Sequence, residues 1–262
     1  MKENKMSPPN YKYNLREKSL DDWNKQFTSR VGDGTGDIEE IYLSAMKIIA
    51  TCKPGAKYLD IGCGFGRFVE TVRHEAGMLV GLEPDFERFR YCYNQFNDGE
   101  RVRIINSTSL EYKAKFPTDR FDIIIVSMVL QHISTDQCDQ ILRDVRDILT
   151  TQGLAIISTT HFFEERFLYG YNQIPQSVDE FNKYALDTDN QKWGIPVRMF
   201  SKESFLKSIS EADLEIIHWC EFSYIRPESL FQYADMRNAS VEAIQNVGIS
   251  QYALVKPRAI CD

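Results

Sequence analysis

Short apolar runs that alternate with amphipathic stretches constrain the fold of this chain most strongly. Seven runs, several nearly continuous in Ile, Val and Leu, are predicted as strands: 57–61, 78–83, 102–106, 121–127, 153–159, 214–221 and 249–256. Such runs are typical of strands covered on both faces. Apolar residues recur at helical spacing in 38–51, 85–96 and 136–149. This alternation predicts an α/β protein whose doubly wound, mostly parallel sheet carries helices on both faces.

Three polar residues are predicted to start these helices. Asp37 with Glu40, and Ser134 with Gln137, have the spacing of a capping box. Asp85 is a candidate cap for the helix over 85–96. We therefore expect the helices to begin close to these positions.

Length and composition favour a single domain. The 262 residues, 43% of them hydrophobic, are enough for one large core. Residues 37–262 are predicted as that domain. Residues 1–36, which end in the flexible "GDGTG", are predicted as an arm or lid. The ring-rich stretch 160–200 follows the fifth strand, and we expect it to be a substrate-side insertion because loops of this length commonly serve binding.

Charge and cysteine usage limit the partners. The net charge of −7 makes nucleic acid an unlikely substrate. The six cysteines have no metal-ligand spacing, so we predict reduced thiols and no metal site. The N-terminus is polar, and no apolar run reaches membrane-spanning length. These features predict a cytoplasmic protein without a membrane partner, and they predict no particular oligomeric state.

The stretch "KYLDIGCGFGR" places a glycine-rich turn at the end of the first predicted strand. Ligands of doubly wound sheets bind at such carboxyl ends, near the point where strand order reverses. A dinucleotide fold requires a small residue at the last position of G-x-G-x-x-G/A, but Arg67 stands there. The pattern present is G-x-G-x-G, preceded by Asp60.

This pattern resembles motif I of the class I S-adenosylmethionine-dependent methyltransferases. "MLVGLEPD", "FDIIIVSMVLQHI" and "ILTTQGLAIIST" resemble later segments of the same family in the same order. "ADLEIIHWCEFS" and "SQYALVKP" resemble its two closing strands, which form an antiparallel hairpin. The resemblance implies S-adenosylmethionine as the cofactor, an antiparallel last strand and methyl transfer as the activity.

The resemblance also implies the residues that hold the cofactor. Glu83 ends the second strand, where a carboxylate accepts both ribose hydroxyls. Many relatives carry Asp-Ala after the third strand for the adenine contact, whereas Thr108 and Ser109 stand here and would supply a hydroxyl or backbone contact instead. The complete predicted cofactor set is Asp60, Gly62, Cys63, Gly64, Gly66, Glu83, Pro84, Thr108, Ser109 and Ser127.

Histidines supply the candidate general base. Methyl transfer to a hydroxyl requires that a proton be removed, and imidazole titrates near neutral pH. His132 and His161 follow the fourth and fifth strands at the ligand edge, with His161 slightly favoured. His74 and His218 are interpreted as structural. The predicted reaction is therefore methyl transfer to a small-molecule acceptor, at oxygen in preference to nitrogen.

Three other functions stay open at the level of the sequence. A peptide or protein could be the acceptor. An NAD(P)-dependent oxidoreductase would also use an acid at Glu83, but Arg67 disfavours it and no Tyr-x-x-x-Lys pair occurs around the fourth and fifth strands. A non-catalytic protein that binds an adenosyl ligand would keep the same glycine turn.

Overall fold

The computed structural model describes residues 53–167, 175–186, 197–222, 240–246 and 250–259, together with residues 231 and 234. The predicted arm 1–36, the helix 38–51 and the Asp37 capping box lie outside these residues. The ring-rich stretch 160–200 is described in part. The division into an arm, one domain and an insertion therefore stays a prediction.

Seven strands form one mixed sheet with the order β3-β2-β1-β4-β5-β9-β8. Strand β9 is antiparallel to both of its neighbours, and the other adjacent pairs are parallel. This arrangement confirms the predicted fold class, including the antiparallel last strand. The strands are β1 (Lys57–Ile61), β2 (Met78–Leu82), β3 (Val102–Ile105), β4 (Phe121–Ser127), β5 (Leu149–Thr160), β8 (Leu214–Phe222) and β9 (Ser250–Pro257).

The fifth strand is the one that differs most from its predicted range. It begins at Leu149 rather than at residue 153. Leu149 pairs with Phe121, and the register between β4 and β5 then shifts before Ile123 pairs with Leu154. This irregularity keeps the polar, turn-like "TTQG" within the strand. The other six ranges agree with the prediction to within one residue.

Helices and a short ribbon complete the described structure. Strands β6 (Arg166–Phe167) and β7 (Arg198–Met199) pair within the ring-rich stretch. The capping box at Ser134 and the N-cap at Asp85 are both confirmed. The helices are α1 (Arg67–Val72), α2 (Phe86–Phe96), α3 (Ser109–Lys115), α4 (Thr135–Ile148), α5 (Val178–Leu186), α6 (Lys202–Glu211) and α7 (Val241–Asn246), with a 3₁₀ turn at Leu130–His132.

The helices cover both faces of the sheet because the central strands are apolar on both sides. In β4, Ile123 and Ile125 belong to the cluster that contains the buried residues of α1 and α2. Ile124 and Val126 belong to the cluster packed under α3, α4 and α6. All four side chains are fully buried. A continuous apolar run therefore makes β4 a central strand.

Strand order reverses between β1 and β4. Ile61 at the end of β1 pairs with Val126, one residue before the end of β4. The glycine turn after β1 and the loop after β4 consequently leave the sheet side by side, at the edge where ligands of this fold bind. None of the helices described in the structure is long and apolar enough to span a membrane.

Candidate cofactor and active site

The glycine turn is fastened to the end of β2. The backbone N–H groups of Gly62 and Cys63 both donate to the carbonyl of Leu82, at 2.8 and 2.9 Å. Gly66 then donates to the carbonyl of Cys63 at 2.9 Å and precedes α1 as its N-cap. The turn therefore has a fixed position between β1, β2 and the first helix.

Two glycines of this turn meet different surroundings. Gly62 and Gly64 both have positive φ, at +73° and +56°. A Cβ at Gly62 would lie 2.5 Å from Val129 Cγ2, whereas a Cβ at Gly64 would meet no atom of the described residues within 4 Å. Gly62 thus permits close packing against the loop after β4. Gly64 faces open space in which the backbone can approach a ligand.

Glu83 joins the glycine turn to α2. Its Oε2 accepts the N–H of Gly64 at 2.9 Å, and its Oε1 accepts the N–H of Asp85 at 2.9 Å. Its Oε1 also lies 3.2 Å from Arg88 Nη2. Glu83 is 1% exposed. Burial raises the pKa of this carboxyl, and the Arg88 charge followed by the two backbone hydrogen bonds opposes that rise.

Asp60 places a second buried carboxylate under the turn. It is 1% exposed, and its Oδ2 has no hydrogen-bond partner among the residues that the structure describes. Burial raises the pKa of Asp60 to about 7, against the lowering effect of the Arg67 charge. A buried carboxylate oxygen that lacks a donor is complementary to a ligand ammonium group.

The two hydroxyl residues predicted near the adenine are engaged within the protein. Thr108 is the N-cap of α3, where it exchanges hydrogen bonds with Glu111 in a capping box. Ser109 is 3% exposed, and its hydroxyl donates to Asp144 Oδ2 at 2.8 Å. The role of Thr108 and Ser109 in cofactor binding stays a prediction. Because both hydroxyls are already engaged, the backbone of this segment is better suited than the side chains to contact the cofactor.

Three further predicted cofactor residues lie around the same edge of the sheet. Cys63 is buried, and its Sγ is 3.9 Å from the Sγ of Cys92 in α2. Pro84 follows Glu83, and its carbonyl accepts a hydrogen bond from Asn106 Nδ2 at 3.0 Å. Ser127 ends β4, with its hydroxyl 3.0 Å from that of Ser158. The structure thus places all three close to the switch point.

The two candidate bases lie in different directions. His132 ends the 3₁₀ turn after β4, and its backbone N–H donates to the carbonyl of Val129, the residue that contacts Gly62. His161 is 5% exposed, with its Nδ1 3.1 Å from Glu221 Oε2 and its ring 6.1 Å from that of Trp219. Both of these neighbours belong to β8, on the side of β5 that faces away from β4. His132 is therefore connected to the glycine turn, whereas His161 contacts β8, the outermost strand on that side of the sheet.

Sequence reasoning missed two residues that fix Glu83. Arg88 pairs with its carboxylate, and Asn106 Nδ2 donates to its carbonyl at 2.8 Å. The sequence carries a weak signal for Arg88, because a cation in the first turn of a helix opposes the helix dipole and needs another reason to be there. Asn106 gave no signal, since its partner is a backbone carbonyl 23 residues away.

Comparison with known proteins agrees with this geometry. A family described as "Methyltransferase domain" matches residues 59–153, from β1 into β5. Ubiquinone biosynthesis O-methyltransferases of Bradyrhizobium sp. (strain ORS 278) and Escherichia coli O127:H6 are 23% and 27% identical over 159 and 147 residues. These alignments cover 58% and 53% of this chain. The chain spans 61% and 60% of the length of these two relatives.

A solved structure extends the likeness over most of the fold. The N-methyltransferase NodS from Bradyrhizobium japonicum WM9, in complex with S-adenosylhomocysteine, superposes with a TM-score of 0.57 at 12% identity. The superposition covers 94% of this chain and 97% of NodS. This likeness concerns the fold, and the domain match adds the sequence of residues 59–153. The chain carries a methyltransferase domain at residues 59–153 and shares the fold of S-adenosylmethionine-dependent methyltransferases.

The cofactor of this family fits the residues present. S-adenosylmethionine carries an ammonium group and a ribose but no pyrophosphate. The Oδ2 of Asp60 suits the ammonium group, since none of the described residues donates a hydrogen bond to it. The open space beside Gly64 admits a ligand against the backbone. Glu83 supplies a buried carboxylate next to that space. The cleft between the glycine turn and the end of β2 is thus the candidate cofactor site.

Proposed function

We propose that this protein transfers a methyl group from S-adenosylmethionine to an oxygen atom of a small-molecule acceptor. The buried Oδ2 of Asp60 carries the proposal, because it has no hydrogen-bond partner among the described residues and lies near the open space at Gly64, so that a site for a cation adjoins space for a ligand. The names of the curated relatives, which are O-methyltransferases, support oxygen as the acceptor atom. When bound, the cofactor supplies an electrophilic methyl group on a sulfonium.

The chain's residues bind and orient the two reactants. Asp60 accepts hydrogen bonds from the cofactor ammonium group. Glu83 accepts ribose hydroxyls with the lone pairs that its two backbone donors and Arg88 leave available. The backbone at Gly64 would help to hold the cofactor, since it borders open space. Holding the acceptor oxygen in line with the methyl carbon then supplies much of the rate.

Direct methyl transfer tests the proposal. The purified protein is incubated with S-adenosylmethionine labelled in its methyl group and with matched panels of phenols and aromatic amines. We expect label in the phenols and release of S-adenosylhomocysteine, with turnover lowered in Glu83→Ala. Transfer only to amines would contradict oxygen as the acceptor atom. Binding of S-adenosylhomocysteine without transfer to any small molecule or peptide would instead indicate a non-catalytic binder.

A histidine base would have a distinct kinetic effect. We expect that replacing one of the two, His132 or His161, by alanine lowers kcat by about 10²-fold or more while leaving cofactor affinity nearly unchanged. Of the two histidines, His132 is connected to the glycine turn through Val129. The measurement is kcat against pH for wild type and both variants, with S-adenosylmethionine titrations of each. Near-wild-type turnover and pH profiles in both variants would exclude a histidine base.

Nitrogen is the second candidate acceptor atom. NodS, which shares the fold, is an N-methyltransferase. At 12% identity this likeness concerns the fold alone, so it does not outweigh the O-methyltransferase relatives. The oxidoreductase alternative is set aside because residues 59–153 match a methyltransferase domain. A cytoplasmic location stays a prediction.

A further inference from the structure

Arg88 brings a guanidinium to the base of the cofactor site. Its Nη2 lies 3.2 Å from Glu83 Oε1, and its Nε lies 3.7 Å from Asp85 Oδ1. The Arg88 side chain is 17% exposed and that of Glu83 is 2% exposed. The pair is therefore shielded from most of the solvent that weakens ion pairs at a surface.

The local fold holds Arg88 in this position. It is the third residue of α2, and its backbone N–H donates to the Oδ1 of the N-cap Asp85 at 2.9 Å. A cation so near a helix N-terminus is unfavourable for the helix itself. Its side chain instead meets the carboxylates of Glu83 and Asp85. The attraction between Arg88 and these two carboxylates thus offsets the unfavourable interaction of its charge with the helix N-terminus.

The surroundings of Glu83 are otherwise rich in groups that disfavour its charge. Asp60 and Cys63 face it from β1 and the glycine turn, and Asp85 faces it from α2. Burial and the Asp85 charge raise the pKa of Glu83, and the Arg88 charge is the strongest influence that lowers it. Arg67 is the cation that acts on Asp60. Arg88 is therefore the counter-charge of the buried Glu83.

The ionised form of Glu83 is the form that binding needs. Each oxygen already accepts one backbone N–H. A protonated carboxyl would turn one oxygen into a donor and leave fewer lone pairs for ribose hydroxyls. Charged acceptors also form the stronger hydrogen bonds. The charge of Glu83 thus determines how many ribose hydroxyls it can accept.

We propose that Arg88 is a positioning residue of the cofactor site, whose guanidinium keeps the Glu83 carboxylate ionised and oriented to accept the ribose hydroxyls. This inference rests on the ribose role given to Glu83 in the proposed function. Arg88 acts through Glu83, which its guanidinium contacts. Its removal should therefore change cofactor binding in a way that depends on pH.

The test is the affinity of the full chain for S-adenosylhomocysteine, measured by calorimetry from pH 6 to pH 9 for wild type and Arg88→Met. Without Arg88 the pKa of Glu83 rises, so the affinity ratio between wild type and variant should widen as the pH falls. We expect the variant to bind at least about tenfold more weakly at pH 6 and to approach wild type at pH 9, since one charged hydrogen bond has about this effect. Asp60 titrates in both proteins and largely cancels in the ratio.

Arg90→Met is the matched control. Arg90 lies on the same helix and pairs with Glu87 at 2.6 Å, but its side chain is 59% exposed. It should leave affinity and its pH dependence unchanged. Arg88→Lys keeps the charge and should retain most of the wild-type pH profile, which also provides a test if the Met variant folds poorly. In a Glu83→Gln background, Arg88→Met should add little, because its effect passes through Glu83.

The outcomes separate the inference from the proposed function. A wild-type protein that binds no S-adenosylhomocysteine at any pH would contradict the proposed function. Wild-type binding that Arg88→Met leaves unchanged at every pH, or an equal loss in the Glu83→Gln background, would overturn the role of Arg88 alone. Loss of binding in Arg88→Lys equal to that in Arg88→Met, with an unchanged thermal unfolding midpoint, would also overturn it.

Discussion

At the scale of single residues, Gly62 and Gly64 have similar backbone conformations but different neighbours. A Cβ at Gly62 would collide with Val129, whereas one at Gly64 would enter open space. We expect Gly62→Ala to lower the free energy of unfolding by about 2 kcal/mol or more, through strain and collision. Gly64→Ala should lower it by about 1 kcal/mol, from strain alone, and should weaken binding of S-adenosylhomocysteine.

A third glycine provides the control for this comparison. Gly99 has φ +77°, and a Cβ added there would meet no atom of the described residues within 4 Å. Unlike Gly64, it lies in the loop between α2 and β3. Gly99→Ala should therefore show the same loss of stability as Gly64→Ala, with no change in affinity. Urea unfolding and calorimetry measure both quantities. Equal affinities in Gly64→Ala and wild type would show that the cofactor does not approach this part of the turn.

Asp60 should reduce stability at neutral pH in the absence of cofactor. Its pKa is about 7 in the fold and near 4 in an unfolded chain. Between these values the folded state binds more protons, so the free energy of unfolding falls as the pH rises from about 4 to about 7. Asp60→Asn removes this titration and should be more stable than wild type at pH 8, by on the order of 2 kcal/mol.

Urea unfolding of both proteins at pH 5, 6, 7 and 8 checks this prediction. The difference in stability should shrink toward pH 5, where wild-type Asp60 is already protonated. The variant should also bind S-adenosylhomocysteine more weakly, since its amide cannot pair with an ammonium group as a carboxylate does. Parallel pH dependences in the two proteins would contradict the burial of a titrating Asp60. A gain in stability with a loss of binding would show that the site is maintained against the preference of the fold.

At the scale of the elements, a buried acid joins α3 to α4. Asp144 is fully buried and accepts hydrogen bonds from Ser109 Oγ and Gln140 Nε2, at 2.8 and 2.9 Å, while Lys113 Nζ lies 2.6 Å away. Asp144→Ala leaves these donors without a partner and should lower the free energy of unfolding by about 2–4 kcal/mol. Asp147, 41% exposed on the same helix, is the control.

Thermal or urea unfolding distinguishes the two acids. Asp147→Ala should cost less than about 1 kcal/mol, because its ion pairs lie at the surface. Similar losses in the two variants would show that the buried network contributes no more than a surface pair. Neither change should directly affect the glycine turn, which is held by β2 and α2.

At the scale of the whole molecule, cofactor binding should be visible as added stability. A ligand that binds only the folded chain stabilises it by about 2.7 kcal/mol at 100 times its dissociation constant. For a chain of this size this corresponds to a rise in Tm of roughly 5–10 °C. We expect this rise with S-adenosylhomocysteine and none with NADH at the same concentration. A larger shift with NADH would contradict the cofactor assignment.

The fold could be predicted from the sequence because its signals are local. The apolar run of β4 indicates that both of its faces are covered. Ser134 with Gln137 indicates where α4 begins. Neither signal depends on the rest of the chain. The glycine turn was equally readable, since positive φ and close packing restrict its residues to glycine. The cofactor roles of Asp60 and Glu83 were implied by the resemblance to the methyltransferases, and they stay predictions.

Only the tertiary structure decided which groups meet across elements. In the fold, Ser109 donates a hydrogen bond to Asp144, His161 lies beside Glu221, and Arg88 pairs with Glu83. The sequence lists donors and charges but not their partners, because a side chain's partner depends on the packing of helices and strands far apart in the chain. The sequence by itself therefore determined the sheet, the turn and the cofactor class. Packing determined the electrostatic setting of the two carboxylates and the direction of each histidine.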